Sequence, residues 1–269
     1  MKTHNNYSKE YLEYKKNDAI KKIIIIIIQI LLAISLFVAW ELLAKFNIID
    51  SFIMSSPSKI WNTLLMLIKD SSIFYHTGIT LLEATIGFVV STLVGTAIAI
   101  LLWSNHFLQR VLEPYIVILN SLPKIALGPI IIIWVGIGIE AIITMDILIM
   151  IIITILTMLN AFNSCDKQKI LLLKSMNANT LQILSKLIIP NAIPEFVSLL
   201  KINVGLTWVG TIMGEYLVSR AGLGYLIIYG GQVFNISLVM TSTIVLCLMA
   251  TIMYFIVSLF EKWVLKRYR

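Results

Sequence analysis

Charge is the scarcest feature of this 269-residue chain: only 13% of its residues are Asp, Glu, Lys or Arg, against about 25% in an ordinary soluble domain. The shortage excludes a water-soluble fold, because 59% of the residues are hydrophobic and no single core of this size hides so much apolar surface. Lipid must serve as part of the solvent. Cysteine is nearly absent as well. Cys165 and Cys247 lie in apolar segments without metal-like spacing and read as small buried hydrophobes. The three histidines, His4, His76 and His106, are scattered and form no metal or catalytic cluster. No Gly-x4-Gly-Lys-Ser/Thr loop occurs, so the chain has no phosphate cradle of its own for ATP hydrolysis. No serine, cysteine or histidine constellation points to an enzyme.

What is present is a series of long apolar runs, each close to the roughly 20 residues that cross a bilayer as a helix. Ile23 to Trp40, opening on six isoleucines, is the first. Ala84 to Trp103 is the second, Tyr115 to Gly136 the third, Ala141 to Phe162 the fourth and Pro194 to Leu217 the fifth. The charge-free stretch from Ala221 to Phe260 is broken at Gly230, Gly231, Gln232 and Asn235, which leaves Ile236 to Phe260 as the sixth. The expected fold is an all-α polytopic transmembrane bundle of six spans, with residues 1–22 as an N-terminal tail and 23–265 as one membrane domain. The polar leader of about twenty residues, the long run after it and the lack of a small-residue cleavage pattern argue against a secretory signal.

The basic residues orient these spans. Six lysines before the first span, Arg110, four lysines between 163 and 190 and four basic residues beyond Phe260 fall on one side. Lys45, Lys59, Lys69 and Arg220 fall on the other. Both termini are therefore expected in the cytoplasm. Because the excess positive charge sits at span ends, beside lipid headgroups, no basic face remains for nucleic acid. Gly87, Ser91, Gly95 and Ala99 form a stripe of small residues on the second span, and Gly210 and Gly214 do the same on the fifth. Such stripes let helices approach closely.

The cytoplasmic segment 163–194 carries the strongest functional signal. Helical periodicity runs from Asp166 to Met176, Asn177-Ala178-Asn179 is a turn, and Asn179 can cap a second short helix from Thr180. Pro190 and Pro194 are expected to end that helix before the fifth span. Two short helices with mixed apolar and basic faces suit a docking surface or a helix resting on lipid headgroups, and the pattern alone leaves both open.

The segment is similar to the cytoplasmic signature of binding-protein-dependent permeases, Glu-Ala-Ala-x3-Gly-x9-Ile-x-Leu-Pro. With Pro190 on its terminal proline, Ile189, Leu187 and Asn177 fall on the Leu, Ile and Gly, and Leu171, Leu172 and Leu173 fall on Glu-Ala-Ala. The spacing is kept while the acid and the glycine are replaced. SPSKIW at 56–61, SLPKIALGPIIIIWVGIGIEA at 121–141 and LKINVGLTWVGTIMGEYLVSRAGLGYLI at 200–227 resemble the nitrate/sulfonate/taurine branch of the same ABC transporter superfamily. The resemblance covers residues 23 to 265. It implies a permease subunit of an ATP-driven importer in the bacterial plasma (inner) membrane, carrying a nitrate-, sulfonate- or taurine-like anion or a pyrimidine-type thiamine precursor. It further implies two copies of a separate ATPase that uses ATP and Mg, an extracytoplasmic substrate-binding protein and a homodimer, with no cofactor bound by this chain. The implied ATPase-coupling residues are Asp166, Asn177, Ala178, Asn179, Leu181, Leu184, Leu187 and Pro190, with docking resting on apolar contact.

Ionisable residues inside spans are costly and functional by default. Lys201 and Glu215 on the fifth span are candidates for the translocation path or a subunit contact. Lys124 and Asp146, on neighbouring spans, either neutralise each other or line the path. The rival reading is an ion-coupled secondary transporter, which would call for internal repeats and a midplane ion site; neither is visible in the sequence.

Overall fold

The structure is a computed structural model, which describes residues 9–268. Its regular elements are all helical among those residues. In chain order they are α1 (Lys9–Lys45), α2 (Ser51–Met54), α3 (Pro57–Lys69), α4 (Ser72–Ser104), α5 (His106–Ser121), a 3-10 turn (Lys124–Leu127), α6 (Gly128–Val135), α7 (Ile139–Asn163), α8 (Lys167–Ser175), α9 (Thr180–Ile183), a π turn (Leu184–Ile188), α10 (Ile189–Val218), α11 (Leu223–Gln232) and α12 (Ile236–Tyr268).

The chain divides into two compact units, residues 1–63 and 64–269. In the first, α1 is a single 37-residue helix, about 55 Å long at 1.5 Å per residue. Its isoleucine run is exposed on every side, as suits a helix that meets lipid all round. Within the expected tail 1–22, residues 9–22 continue α1 without a break, and residues 1–8 lie outside the described residues. Glu41 near the end of α1 accepts from the Ser58 amide at 3.0 Å and from its hydroxyl, which ties α1 to the start of α3. Asp50 caps α2 through the Phe52 amide at 2.8 Å.

The second unit is organised around α7, which packs most closely on α4 and on α10. The small residues explain how three helices come so near. A Cβ on Gly87 or on Gly210 would overlap the Asp146 carboxyl, one on Gly95 would stand 2.7 Å from Thr154, and one on Gly214 would stand 3.0 Å from the Ile142 Cα. Both stripes read from the sequence therefore face α7. The apolar core forms several clusters along this bundle, one of them of Leu200, Val204, Trp208 and Val257 between α10 and α12. Leu102, Phe162, Ile183, Ile188 and Leu199 pack at the end nearest α8, and Ile73, Leu223, Leu226 and Leu238 pack at the other.

Several expected boundaries move. The second span begins at Ser72, twelve residues before Ala84, because Glu83, which closed the charge-free window, is buried inside the bundle. The expected third span is broken: α5 and the 3-10/α6 pair meet at 88°. Pro123 supplies the reason, since a proline holds the preceding residue extended and Leu122 has ψ 142°. The expected ending at Pro190 and Pro194 is not found. The helix is continuous from Thr180 to Val218, with Pro190 in the first turn of α10 and Pro194 inside it. A proline ring presses on the carbonyl four residues earlier, and the wider π turn at Leu184–Ile188 falls where Pro190 makes that room necessary. The break near Gly230 is found at residues 233–235, where Asn235 caps α12 by accepting from the Leu238 amide at 3.1 Å. Five helices are individually long and apolar enough to cross a membrane, and the bent pair makes a sixth when counted as one span.

Candidate functional site

Down the centre of the second unit runs a buried polar ladder. Asn203, Thr207, Thr211 and Glu215 recur every fourth residue on α10 and so share one face. Asp146, Met150 and Thr154 repeat the same spacing on α7. The Asn203 amide donates to Thr92 at 3.1 Å and to Thr154 at 3.0 Å, joining α10 to α4 and α7. Thr207 donates to the Met150 sulfur at 2.9 Å, and Thr211 to Asp146 at 3.3 Å. All of these side chains except Met150 could in principle hydrogen-bond water, yet every one is buried.

The ladder ends in a clamp on the N-terminus of α11. First-turn amides of a helix lack partners within the helix, and here the partners come from other helices. The Gly222 amide donates to His76 Nδ1 at 3.0 Å, the Leu223 amide to Thr80 Oγ1 at 2.8 Å, and the Gly224 amide to Glu215. Thr80 in turn donates to Glu215 at 2.6 Å. Gly222 is required at this place: its φ is 115°, and a Cβ would strike the Glu215 carboxyl. His76 also stacks on Tyr225 with ring centres 5.8 Å apart. Glu83, one turn beyond Thr80 on α4, lies against the Glu215 carboxyl. No N–H or hydroxyl donor among the described residues reaches either of its oxygens, so its hydrogen-bonding contact is the Glu215 carboxyl itself.

At the opposite end, α8 and α9 form a helix-turn-helix hairpin. Asp166 caps α8 by accepting from the Gln168 amide at 2.8 Å. Asn177 takes the left-handed turn with φ 61°, the conformation that asparagine tolerates best after glycine. Asn179 and Gln182 form a reciprocal capping box at 2.8 Å in both directions. Ile170, Leu173, Ala178 and Leu187 turn inward against the core. Leu171, Leu172, Met176 and Leu181 face outward.

The candidate residues from the sequence thus separate into groups. Asp166, Asn177, Ala178 and Asn179 shape the hairpin, while Leu181, 72% exposed, stands on its outer face. Leu184 is a correction: it is 7% exposed and belongs to the chain's own core, so it offers no surface to a partner. Leu187 and Pro190 are half-buried. Lys124 does not neutralise Asp146. Its ammonium donates to the Asn120 carbonyl at 3.1 Å and side chain at 3.3 Å, while Asp146 sits between Gly87 and Gly210. Lys201 pairs with Glu261 of α12 at 2.8 Å, a partner that sequence reasoning did not name. Glu83 and Thr80 were also missed. The four-residue spacing of polar side chains on an otherwise apolar α10 was the available signal for the ladder. Of the cysteines, Cys165 is buried as expected, whereas Cys247 is exposed on α12.

An all-helical chain with five or six apolar spans, a buried polar ladder and a two-helix hairpin with an exposed apolar face has the make-up of a polytopic membrane domain of the transporter kind. Residues 87–269 match the family described as binding-protein-dependent transport system inner membrane component, and the chain belongs to that family. It is similar to a Haemophilus influenzae protein named "Probable ABC transporter permease protein", 28% identical over 87% of this chain and 93% of the relative. It is 30% identical to the formylaminopyrimidine transport permease protein ThiX of Halalkalibacterium halodurans, over 71% of this chain and 75% of the relative. The taurine transport system permease protein TauC of Escherichia coli is 23% identical over 80% of each chain. Among solved structures, an inward-facing MetNI methionine ABC transporter shares the fold, with a TM-score of 0.60 at 22% identity over 74% of this chain and 97% of that one. The chain is a membrane-spanning permease subunit of the ABC importer class, and the ion-coupled alternative is set aside.

Proposed function

We propose that two copies of this chain form the membrane path of an ATP-driven importer in a bacterial plasma membrane. Each copy crosses the membrane six times, the bent α5–α6 pair counting as one span, with both termini in the cytoplasm and residues 23–265 as the permease domain. The hairpin at residues 163–194 then lies in the cytoplasm, where two separate ATPase subunits dock against it and supply all the ATP and Mg chemistry. An extracytoplasmic binding protein delivers solute at the opposite end, and lipid is the remaining partner. Nothing in this reading calls for nucleic acid or for a cofactor held by this chain. The solute belongs to the range carried by its relatives: a nitrate-, sulfonate- or taurine-like anion, or a pyrimidine-type thiamine precursor.

The observation that carries this reading is the outer face of the hairpin. Leu171, Leu172, Met176 and Leu181 are exposed around the Asn177 turn, on a short element that caps and side chains hold rigid. A cytoplasmic apolar knob with a fixed shape needs a partner groove. ATP-driven closure of the ATPase pair would move that knob and shift the path between inward- and outward-facing states, with the difference in nucleotide affinity as the driving force. The test is uptake into vesicles holding the chain with its ATPase and binding protein. Solute should accumulate only with ATP, and reporters fused after residues 70, 106, 138, 175, 230 and 269 should read out, in, out, in, out, in. ATP-independent uptake, or a periplasmic C-terminus, would contradict it.

A further inference from the structure

The 88° bend between α5 and the 3-10/α6 pair leaves irregular backbone at a depth where lipid tolerates none. From the link at 136–138, α6 runs back for 8 residues to Gly128, about 12 Å by helix rise. A Cβ on Gly128 would meet Leu217 of α10 and Met145, which lies less than two turns into α7. Leu127 packs against the cluster that holds Ile142 and Met145. The break at Leu122 and Pro123 therefore lies inside the apolar slab of about 30 Å, away from its rim. In the chain alone, Asn120, Ser121, Leu122 and Pro123 are all exposed there.

Lys124 stands on this break. Its ammonium donates to the Asn120 carbonyl and side chain at 3.1 and 3.3 Å, which leaves one of three protons free. No carboxylate among the described residues pairs with it. The two bonds tie the ammonium to the last turn of α5, so it does not reach away to a headgroup as a snorkelling lysine does. Irregular backbone and an unpaired cation are both excluded from hydrocarbon, so the face at the bend meets protein or water. A dry protein contact would bury the charge without a partner, which costs more than leaving it wet. Water is left.

We propose that the α5–α6 bend faces a water-filled path shared with a second copy of this chain, and that Lys124 is a contact point there for an anionic group on the solute. Asn120 positions the ammonium, and its free proton points the site toward an acceptor. The inference rests on the importer reading, in which two copies enclose one path, and it narrows the solute to molecules that present a negative charge.

The test places a cysteine at the break, Ser121→Cys, in the full chain carrying Cys247→Ser, with the Cys247→Ser chain as the blank. Open membrane fragments are treated with two membrane-impermeant methanethiosulfonates, one bearing a sulfonate and one a trimethylammonium group. Each rate is divided by that of the same reagent with free 2-mercaptoethanol. Both reagents should react, and the anionic one should be favoured about threefold or more by the nearby cation. Lys124→Gln should remove that preference, and about 1 M salt, with a Debye length of about 3 Å, should shrink it. A thiol that neither charged reagent reaches would overturn the path, since lipid or a dry contact then covers the bend. Equal rates for the two reagents, or a preference that survives Lys124→Gln or salt, would overturn Lys124 as the anion contact. If Ser121→Cys does not insert, Leu122→Cys, exposed at the same break, is read by the same criteria. ATPase co-purification from the same membranes separates the two readings: an unreactive break on a chain that carries its ATPase removes the path contact alone, whereas a chain that carries no ATPase removes the importer reading.

Discussion

Replacing Thr80 by valine isolates the clamp on α11, because the two side chains have nearly the same shape and differ by one hydroxyl. That hydroxyl donates to Glu215 at 2.6 Å and accepts from the Leu223 amide at 2.8 Å. Its removal leaves a buried amide without an acceptor and takes one donor from a buried carboxyl group. On the soluble-protein scale each orphaned group costs about 1–3 kcal/mol. Polar bonds between membrane helices average nearer 0.6 kcal/mol, because the unfolded helices also find partners. Two bonds together therefore amount to roughly 1–6 kcal/mol, or about 2–12 °C in melting temperature for a chain of this size. The assay is thermal unfolding of the full chain in nanodiscs, with hydrogen exchange at the Leu223 amide as the local readout. Thr80→Val should melt lower and exchange faster there, and Thr80→Ser should lie close to wild type. Equal melting of wild type and Thr80→Val, or a serine variant as weak as the valine one, would refute the clamp.

Two further predictions concern the packing of the bundle. Gly87→Ala should destabilise the chain by about 1–3 kcal/mol, and Asp146→Ala should relieve part of that cost, since the three atoms nearest the new Cβ all belong to the Asp146 side chain. Gly210→Ala should show less relief, because its Cβ also stands 2.9 Å from the Asp146 Cα; a double-mutant cycle of melting temperatures checks both. The Lys201–Glu261 pair is partly exposed, so its coupling energy should stay within about 1 kcal/mol and fall with salt. A larger, salt-insensitive coupling would return Lys201 to the translocation path.

Much of the fold could be read from the sequence because lipid imposes a simple rule: a helix long and apolar enough to span must bond its backbone internally. Ala141 to Phe162 was placed within two residues of α7, and both glycine stripes were found. The rule failed where a charge lay inside the protein. Glu83 looked like a boundary because a window of hydropathy cannot tell a headgroup-facing acid from one buried between helices. Prolines misled in both directions: Pro123 broke a span that looked continuous, and Pro190, beside a π turn, failed to break one. The hairpin's caps at Asp166, Asn177 and Asn179 are local hydrogen-bond devices and were therefore foreseeable. The burial of Leu184 depends on packing against residues far away in sequence, such as Phe162 and Leu199, and no local pattern reports it.

The docking reading depends on the difference between two leucines three residues apart. Leu184→Asp puts a charge into the core and should unfold or destabilise the chain whatever its partners. Leu181→Asp changes only an exposed side chain and should leave melting unchanged. Burying Leu181 in a partner groove would contribute roughly 1.5–3 kcal/mol, enough to lower ATPase affinity at least tenfold. The decisive measurement is the amount of ATPase that co-purifies with wild type and with Leu181→Asp, at low and at moderate salt. Wild type should hold the ATPase at both, since screening weakens ionic contacts far more than apolar ones, and Leu181→Asp should release it while remaining folded. ATPase retained by Leu181→Asp, or stripped from wild type by moderate salt, would contradict apolar docking through this hairpin.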